Sequence, residues 1–261
     1  MIRALSTAAT GMEAQQTRLD VTANNIANVS TAGFKKSRVE FEDLMYQTVR
    51  QPGAATSSTT RAPSGTEVGM GVRTAATQRM HTTGDLRQTG NALDVAIEGN
   101  GFFQVKLPGG QLAYTRAGSF KLDGEGRMVT AEGHALAQEI TVPPETQQVT
   151  IGADGTVTAT LPGQAAPAEV GKIELASFAN PAGLAALGRN LLRETAASGT
   201  PSTGAPGEQG MGGLSQGTLE LSNVKVVEEM IDLISGQRAY EVNARVVRAA
   251  DEMLQQTANL K

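Results

Sequence analysis

Both ends of this 261-residue chain repeat apolar residues about every seven positions, and that repeat constrains the fold more than any other feature. At the N-terminal end Ile2, Leu5, Ala9, Met12, Gln16, Leu19, Ala23 and Ile26 follow one another in steps of three and four. This is the spacing of a helix with a narrow apolar seam. Arg3, Glu13, Gln15, Arg18 and Asp20 take the solvated positions between, and Gly11 is a mild weakness. Asn28, Ser30, Thr31 and Gly33 supply stop signals. At the C-terminal end Val226, Met230, Leu233, Gln237, Tyr240, Ala244, Val247, Asp251, Leu254 and Ala258 form a similar stripe, widened by Val242, Val246, Ala249 and Met253. Ser222 or Asn223 is placed to cap this helix, and Glu228, Glu229 and Asp232 sit near the positive end of its dipole. Helices over 2–29 and 222–260 extend about 42 and 58 Å at 1.5 Å per residue.

A narrow seam on a long helix needs another helix. An intramolecular hairpin, packing on the middle of the chain, or association with further copies would each supply one. Gln237 and Asp251, polar within the stripe, are placed to set register. Gly236 is an unusual residue for a helix interior and marks a bend or a close contact.

Between the helices the pattern changes to short strands and turns. Turn signals recur at Gly99-Asn100-Gly101, Pro108-Gly109-Gly110, Asp123-Gly124-Glu125-Gly126, Pro143-Pro144 and Asp154-Gly155. The segments 93–97, 102–107, 112–115, 119–122, 127–130, 149–151, 157–160 and 173–178 read as strands of a sandwich or partly open barrel. One helical turn is expected within 180–192 and a loop over 201–217. Residues 51–71 are rich in Ser and Thr and lack apolar periodicity, which reads as a linker or an extended segment. The expected fold class is α+β: long N- and C-terminal α-helices forming a coiled-coil-like domain, plus a mainly-β middle domain. The expected segments are an N-terminal helix (1–33), an extended connector (34–75), a β-rich domain (76–219) and a C-terminal helix (220–261).

Composition narrows the chemistry. The chain has no Cys, so disulfides, thiolate metal sites and a cysteine nucleophile are excluded. Two His lie far apart, and a net charge of −4 argues against coating nucleic acid. Gly99-Asn100-Gly101 lacks the third Gly of a dinucleotide fingerprint and reads as a hairpin turn. Asp94 and Glu98 read as solvated strand carboxylates, and the carboxylates of residues 123–126 lack the spacing of a calcium loop. The expectation is no catalytic residue, no cofactor and no metal. No apolar run is long enough for a membrane span or a cleaved signal.

Four blocks resemble the bacterial flagellar rod and hook family. They are Asn24-Asn25-Ile26-Ala27-Asn28 with Thr31, Gly33, Phe34 and Lys35; Thr89-Gly90-Asn91-Ala92-Leu93-Asp94 through Gly99, Gly101, Phe102 and Phe103; Tyr114 to Phe120; and Gln237-Arg238-Ala239-Tyr240-Glu241-Val242-Asn243. The resemblance implies a structural, non-enzymatic subunit of a flagellar rod: a hollow helical homopolymer transmitting torque and housing the export channel. Its size implies one β domain, and the connector Thr56, Ser57, Ser58, Thr59, Thr60 and Pro63 resembles a stretch that marks distal rod proteins. A proximal rod or hook-type axial paralogue is the alternative, ahead of a β-domain binding module on a coiled coil. The implied partners are further copies, other rod proteins, the hook protein, the P and L rings and the type III export apparatus, with no nucleic acid and no membrane insertion. The implied location is the basal body, from periplasm to outer membrane, reached without a cleaved signal. Ile2, Leu5, Met12, Leu19, Ile26, Val226, Met230, Leu233, Tyr240, Val247 and Leu254 are expected to drive assembly.

Overall fold

The structure, a computed structural model, describes residues 2–55, 61–163 and 166–259. The connector residues Thr56, Ser57, Ser58, Thr59 and Thr60 lie outside the described residues, as does the Ile2 side chain. The chain forms two compact units.

The first unit comprises residues 1–27, 37–78 and 225–261. It holds helix α1 (Ile2–Ala27), helix α2 (Val226–Asn259) and strands β1 (Ser37–Asp43), β2 (Tyr46–Arg50), β3 (Thr66–Gly69) and β4 (Val72–Arg79). β1 pairs with β4, and β2 pairs antiparallel with β3, so much of the expected connector is strand. β2, β3 and β4 lack sustained apolar alternation, which hid them from a reading based on periodicity, whereas β1, with Val39 and Phe41 set between charged residues, alternates and was passed over. Every residue of β2 is exposed.

The second unit comprises residues 28–36 and 79–224. Its largest sheet is six-stranded, with neighbours in the order β15 (Ala185–Gly188), β16 (Leu191–Arg193), β8 (Leu112–Thr115), β7 (Phe102–Lys106), β14 (Leu175–Ser177) and β17 (Ser202–Gly204). All these pairs are antiparallel. Smaller antiparallel sheets are β11 (Gln148–Ile151), β12 (Thr156–Thr160) and β13 (Ala168–Lys172); β6 (Val95–Glu98) with β18 (Gly213–Gln216); β5 (Leu86–Gln88) with β19 (Thr218–Glu220); and β9 (Lys121–Leu122) with β10 (Met128–Val129).

Alternation along β7 splits the aromatic residues between two clusters. Phe103 enters the main core with Val95, Ile97, Val105, Phe120, Met128, Leu136 and Ile173, its ring 5.1 Å from Phe120. Phe102 enters the second cluster with Tyr114, Phe178 and Leu192. There Tyr114 meets Phe178 edge-on at 4.8 Å, and His81 lies 5.4 Å from Phe102.

Several local expectations are corrected. Gly99-Asn100-Gly101 is no hairpin: β6 pairs with β18 and β7 with β8 and β14, so the turn carries the chain between sheets. The helical turn appears at Pro181–Gly183, but strands β15 and β16 follow it where Ala and Leu gave no strand signal. The expected loop 201–217 contains both β17 and β18. Asp94 is buried, accepting hydrogen bonds from Thr89 Oγ1 (2.7 Å) and Asn91 Nδ2 (3.1 Å). Asn223 does not cap α2. Its amide accepts from the Lys36 backbone N–H (2.8 Å) and donates to the Met80 carbonyl (2.9 Å), so the helix begins at Val226.

Candidate assembly surface

Within the first unit α1 and α2 pack antiparallel, as the contacts along them show. Asn25 Nδ2 donates to Glu229 Oε2 (3.1 Å), Arg18 pairs with Asp232 (2.6 Å), and a Cβ on Gly11 would meet Asn243 Nδ2 at 2.9 Å. A Cβ on Gly236 would lie 3.1 Å from Leu19 Cδ2. Gly236 therefore marks a close contact, one of the two readings the sequence left open.

The face that α2 turns toward α1 is small and polar. Glu229, Gly236, Asn243 and Ala250 recur at heptad spacing, and all are buried or half-buried. The facing residues of α1 include the buried Ala8, Thr22 and Asn25. Asn25 is the clamp of this unit. Besides bonding Glu229 it accepts from the Ser37 N–H and donates to the Ser37 carbonyl, both at 2.9 Å, fastening the start of β1 to the last turn of α1. The glycine and asparagine of the two helices thus permit close approach, and the larger Leu19, Leu233 and Val247 are only half-buried.

A second set of large apolar residues is on the outside. Val227 (71% exposed), Met230, Ile231 (62%) and Ile234 stand at i, i+3, i+4 and i+7 on α2. Val242, Val246 and Met253 are exposed farther along the helix. Of the residues expected to drive assembly, Val226, Met230 and Tyr240 are exposed, while Leu5, Met12, Leu19, Ile26, Leu233, Val247 and Leu254 are half-buried. The sequence reading passed over Val227, Ile231 and Ile234, although their spacing was a signal of a second stripe. The β2–β3 ribbon adds Met45, Tyr46, Val49 and Val68, all exposed, and Pro63 is exposed nearby in sequence. Soluble monomers seldom show apolar residues clustered in this way, and such patches mark interaction surfaces.

The motif residues divide by what holds them. Gly33 has φ +71°, donates its N–H to the Glu220 carbonyl (2.8 Å) and sits where a Cβ would be 2.6 Å from the Ala117 nitrogen. Phe34 beside it is half-buried. Thr31 closes the turn after α1 by bonding the Asn28 carbonyl (3.1 Å), and Asn24 is exposed on the last turn of α1. Gly90, φ +74°, opens the loop that Asn91 and Asp94 close. Gly99 and Gly101 have φ of +129° and +135°, and their carbonyls accept from Arg116 Nη1 at 2.8 and 2.7 Å. By contrast Gln237, Arg238, Tyr240 and Glu241 are exposed on α2. Among the described residues they make no hydrogen bond or ion pair.

The second unit contains a buried ionic cluster; Lys35 and Arg116 stood in the motif blocks, but Glu220 and the pairing were missed. Glu220 is fully buried; Lys35 Nζ donates to it at 2.5 Å and Arg116 Nε at 2.9 Å. Lys35 also donates to the Thr82 carbonyl (2.6 Å), and the Gly84 N–H to Glu220 (2.9 Å). Burial pushes the Glu220 carboxyl up, but the Arg116 guanidinium and the bonds from Arg116 and Lys35 outweigh it and hold the pKa below the usual carboxylate value. Nothing local in the sequence pairs residues so distant. The Asp123 carboxylate, in the turn weighed as a cation site, bonds Arg127 at 2.8 Å. Among the described residues no group of three His, Asp or Glu is placed to hold a metal, and no helix is long and apolar enough to cross a membrane.

Comparison with known proteins places this surface in context. Residues 5–35 match a family model described as flagella basal body rod protein, 96–159 the flagellar hook protein FlgE/F/G D1 domain, and 215–260 the flagellar basal body rod FlgEFG protein C-terminal region. The chain is 48% identical to the flagellar basal-body rod protein FlgG of Buchnera aphidicola subsp. Schizaphis graminum, over 100% of both chains. It is 48% identical to FlgG of Borreliella burgdorferi over 100% of this chain and 99% of that one, and 40% identical to FlgG of Bacillus subtilis over 100% of both. The helices with their outward apolar ridge and the β unit with its glycine-built turns are the matched regions, and the chain belongs to the FlgG family of flagellar basal-body rod proteins.

Proposed function

We propose that this chain is a structural subunit of the flagellar distal rod. It polymerises into a hollow helical tube that transmits torque from motor to hook and encloses the export channel. The observation that carries this is the division of α2: its buried residues, Glu229, Gly236 and Ala250, are small or polar, and Val227, Met230, Ile231 and Ile234 are exposed. An outward ridge contacting a different surface of the next copy is a heterologous contact, and such contacts extend into filaments when they do not close. Gln237, Arg238, Tyr240 and Glu241, without polar partners among the described residues, join that interface. The α1–α2 pair acts as a coiled-coil-like element that orders fully on assembly, since helices gain little without packing. Pro63 and its connector stiffen the polymer. The work is mechanical and uses no catalytic group. Partners are further copies, neighbouring rod proteins, the hook protein, the P and L rings and, during export, the flagellar type III export apparatus, and the location is the basal body from periplasm to outer membrane.

Electron microscopy of the purified chain at high concentration tests the reading. A hollow tube is expected, and Ile231→Asp with Ile234→Asp abolishes it while β-sheet circular dichroism is kept. Each charge costs several kcal/mol in an apolar contact unless it is paired. A chain that sediments as a 27.1 kDa monomer at every concentration refutes the proposal. Hydrogen exchange adds a second readout: protection over 2–29 and 224–258 rises on polymerisation.

A further inference from the structure

The side chain of Arg79, the last residue of β4 and the first of the second unit's 79–224 segment, makes no hydrogen bond or ion pair among the described residues, and the residue is half-buried. It lines a cavity of about 170 Å³ in the second unit together with Lys35, Arg116, Arg189 and Asn190. No Asp or Glu lines this cavity among the described residues. Glu220 serves Lys35 and Arg116, and Glu132 serves Arg189 at 2.8 Å. Four cations against two carboxylates leave a local surplus of positive charge. Arg116 is almost wholly buried, and its Nη2 has no hydrogen-bond partner. Burial pulls the Arg79 pKa down with no acid to offset it, yet a guanidinium stays protonated in proteins. A buried charge without a partner is costly unless a counter-charge arrives.

The backbone adds to this. Arg189 and Asn190 occupy the β15–β16 turn with φ of +55° and +59°. Both central residues are left-handed, as in the tight hairpin turns that favour Asn-Gly. Glycine adopts that conformation without strain, whereas the arginine carries a guanidinium to the cavity.

We propose that this cavity is an oxyanion site, taking one carboxylate or phosphate group between Arg79, Arg116 and Arg189. Guanidinium groups suit such an anion because their planar fork matches two oxygens at once. This goes beyond the rod reading and does not depend on it.

The test is calorimetric titration of inorganic phosphate into the full chain, dilute and monomeric, at constant ionic strength set by chloride. Saturable one-site binding is expected. Arg79→Gln weakens it about tenfold or more, the loss of a charge-assisted pair. Arg189→Gln does the same, and its side chain is 71% exposed, so folding is not at stake. Arg73→Gln, on the exposed ion pair with Glu42, leaves binding unchanged. If phosphate also slows polymerisation and Arg79→Gln imitates it, the resident anion is an acidic side chain of a second copy. If phosphate binds and polymerisation is unaffected, the resident is a free anion. No saturable binding, or binding indifferent to both arginines, overturns the site whatever the polymer does.

Discussion

Gly33 and Gly90 form a matched pair for testing what a glycine contributes. Both lie in the second unit, with φ of +71° and +74°, so alanine meets the same left-handed backbone cost at each, about 1–2 kcal/mol. Their surroundings differ. Around Gly90 nothing lies within 4 Å of an added Cβ. Around Gly33 the Cβ would be 2.6 Å from the Ala117 nitrogen and 2.7 Å from the Arg116 carbonyl carbon, which are backbone atoms with little freedom to move. Overpacking of this kind costs roughly a further 1–3 kcal/mol. Gly33→Ala should therefore lose about 2–5 kcal/mol, and Gly90→Ala about 1–2. Urea unfolding followed by near-ultraviolet dichroism reads the difference, because Tyr114 is buried against Phe178 in this unit while Tyr46 and Tyr240 are exposed. Equal midpoint shifts for the two variants would refute the close approach and leave backbone conformation as the only role of Gly33.

Glu220→Gln leaves Lys35 and Arg116 buried without their carboxylate and should cost about 3–5 kcal/mol by the same unfolding assay. The stability of the second unit should fall as pH drops from about 6.5 to 4. His81 is held at a pKa of about 4 by burial, with the nearby Arg79, Lys35 and Arg116 charges adding to the effect, so over that window the unfolded chain binds a proton that the folded chain refuses. The full effect is about 3.5 kcal/mol at roughly 1.4 kcal/mol per pH unit, and His81→Asn should flatten the profile above pH 5. Glu220, depressed in the fold, adds a further loss only below the ordinary carboxylate range. Gly236→Ala should be near neutral, since about 1 kcal/mol of helix propensity offsets a 3.1 Å contact with the flexible end of Leu19. Gly236→Leu should part the helices and lower helical dichroism at 222 nm.

The helices were legible because their signal is local: periodicity, stop residues and acidic residues near the α2 start all lie within one segment. Their packing was not. Periodicity ranks residues by size and apolarity, and so selected Val226, Met230 and Tyr240, all exposed in the single chain. What sets the approach of α1 to α2 is the absence of bulk at Gly11 and Gly236, which a hydropathy pattern scores as weakness. The β unit was legible where apolar runs end at glycines, as at β7 and β8. It was not at β15, built of Ala, Leu and Gly, nor at β2 and β3, whose ladder is a pairing between segments. The Lys35–Glu220–Arg116 cluster joins residues up to 185 positions apart, a distance over which no motif reports. The Asn25 clamp stands between. Its motif was visible, but its partners Ser37 and Glu229 were not.

The distribution of bulk decides where each unit finds its stability. The second unit buries Phe102, Phe103, Tyr114, Phe120 and Phe178, most of the few rings in the chain. In the first unit the residues that are fully buried among those described are Ala8, Ala14, Thr22, Asn25, Ala62, Glu229, Gly236 and Ala250. Burying a Leu or Ile contributes about 1.5–3 kcal/mol, and an alanine methyl far less. Leu19, Ile26, Leu233, Val247 and Leu254 are only half-buried, so the α1–α2 contact retains a fraction of that gain. Ordering each backbone residue meanwhile costs about 1–2 kcal/mol. The apolar area able to offset that cost is on the outward side of α2, and it can be buried only against another molecule. On the proposed rod reading, a helical pair built in this way is weak alone and gains order where copies stack, so hydrogen-exchange protection over both helices should rise steeply between the dilute chain and the polymer.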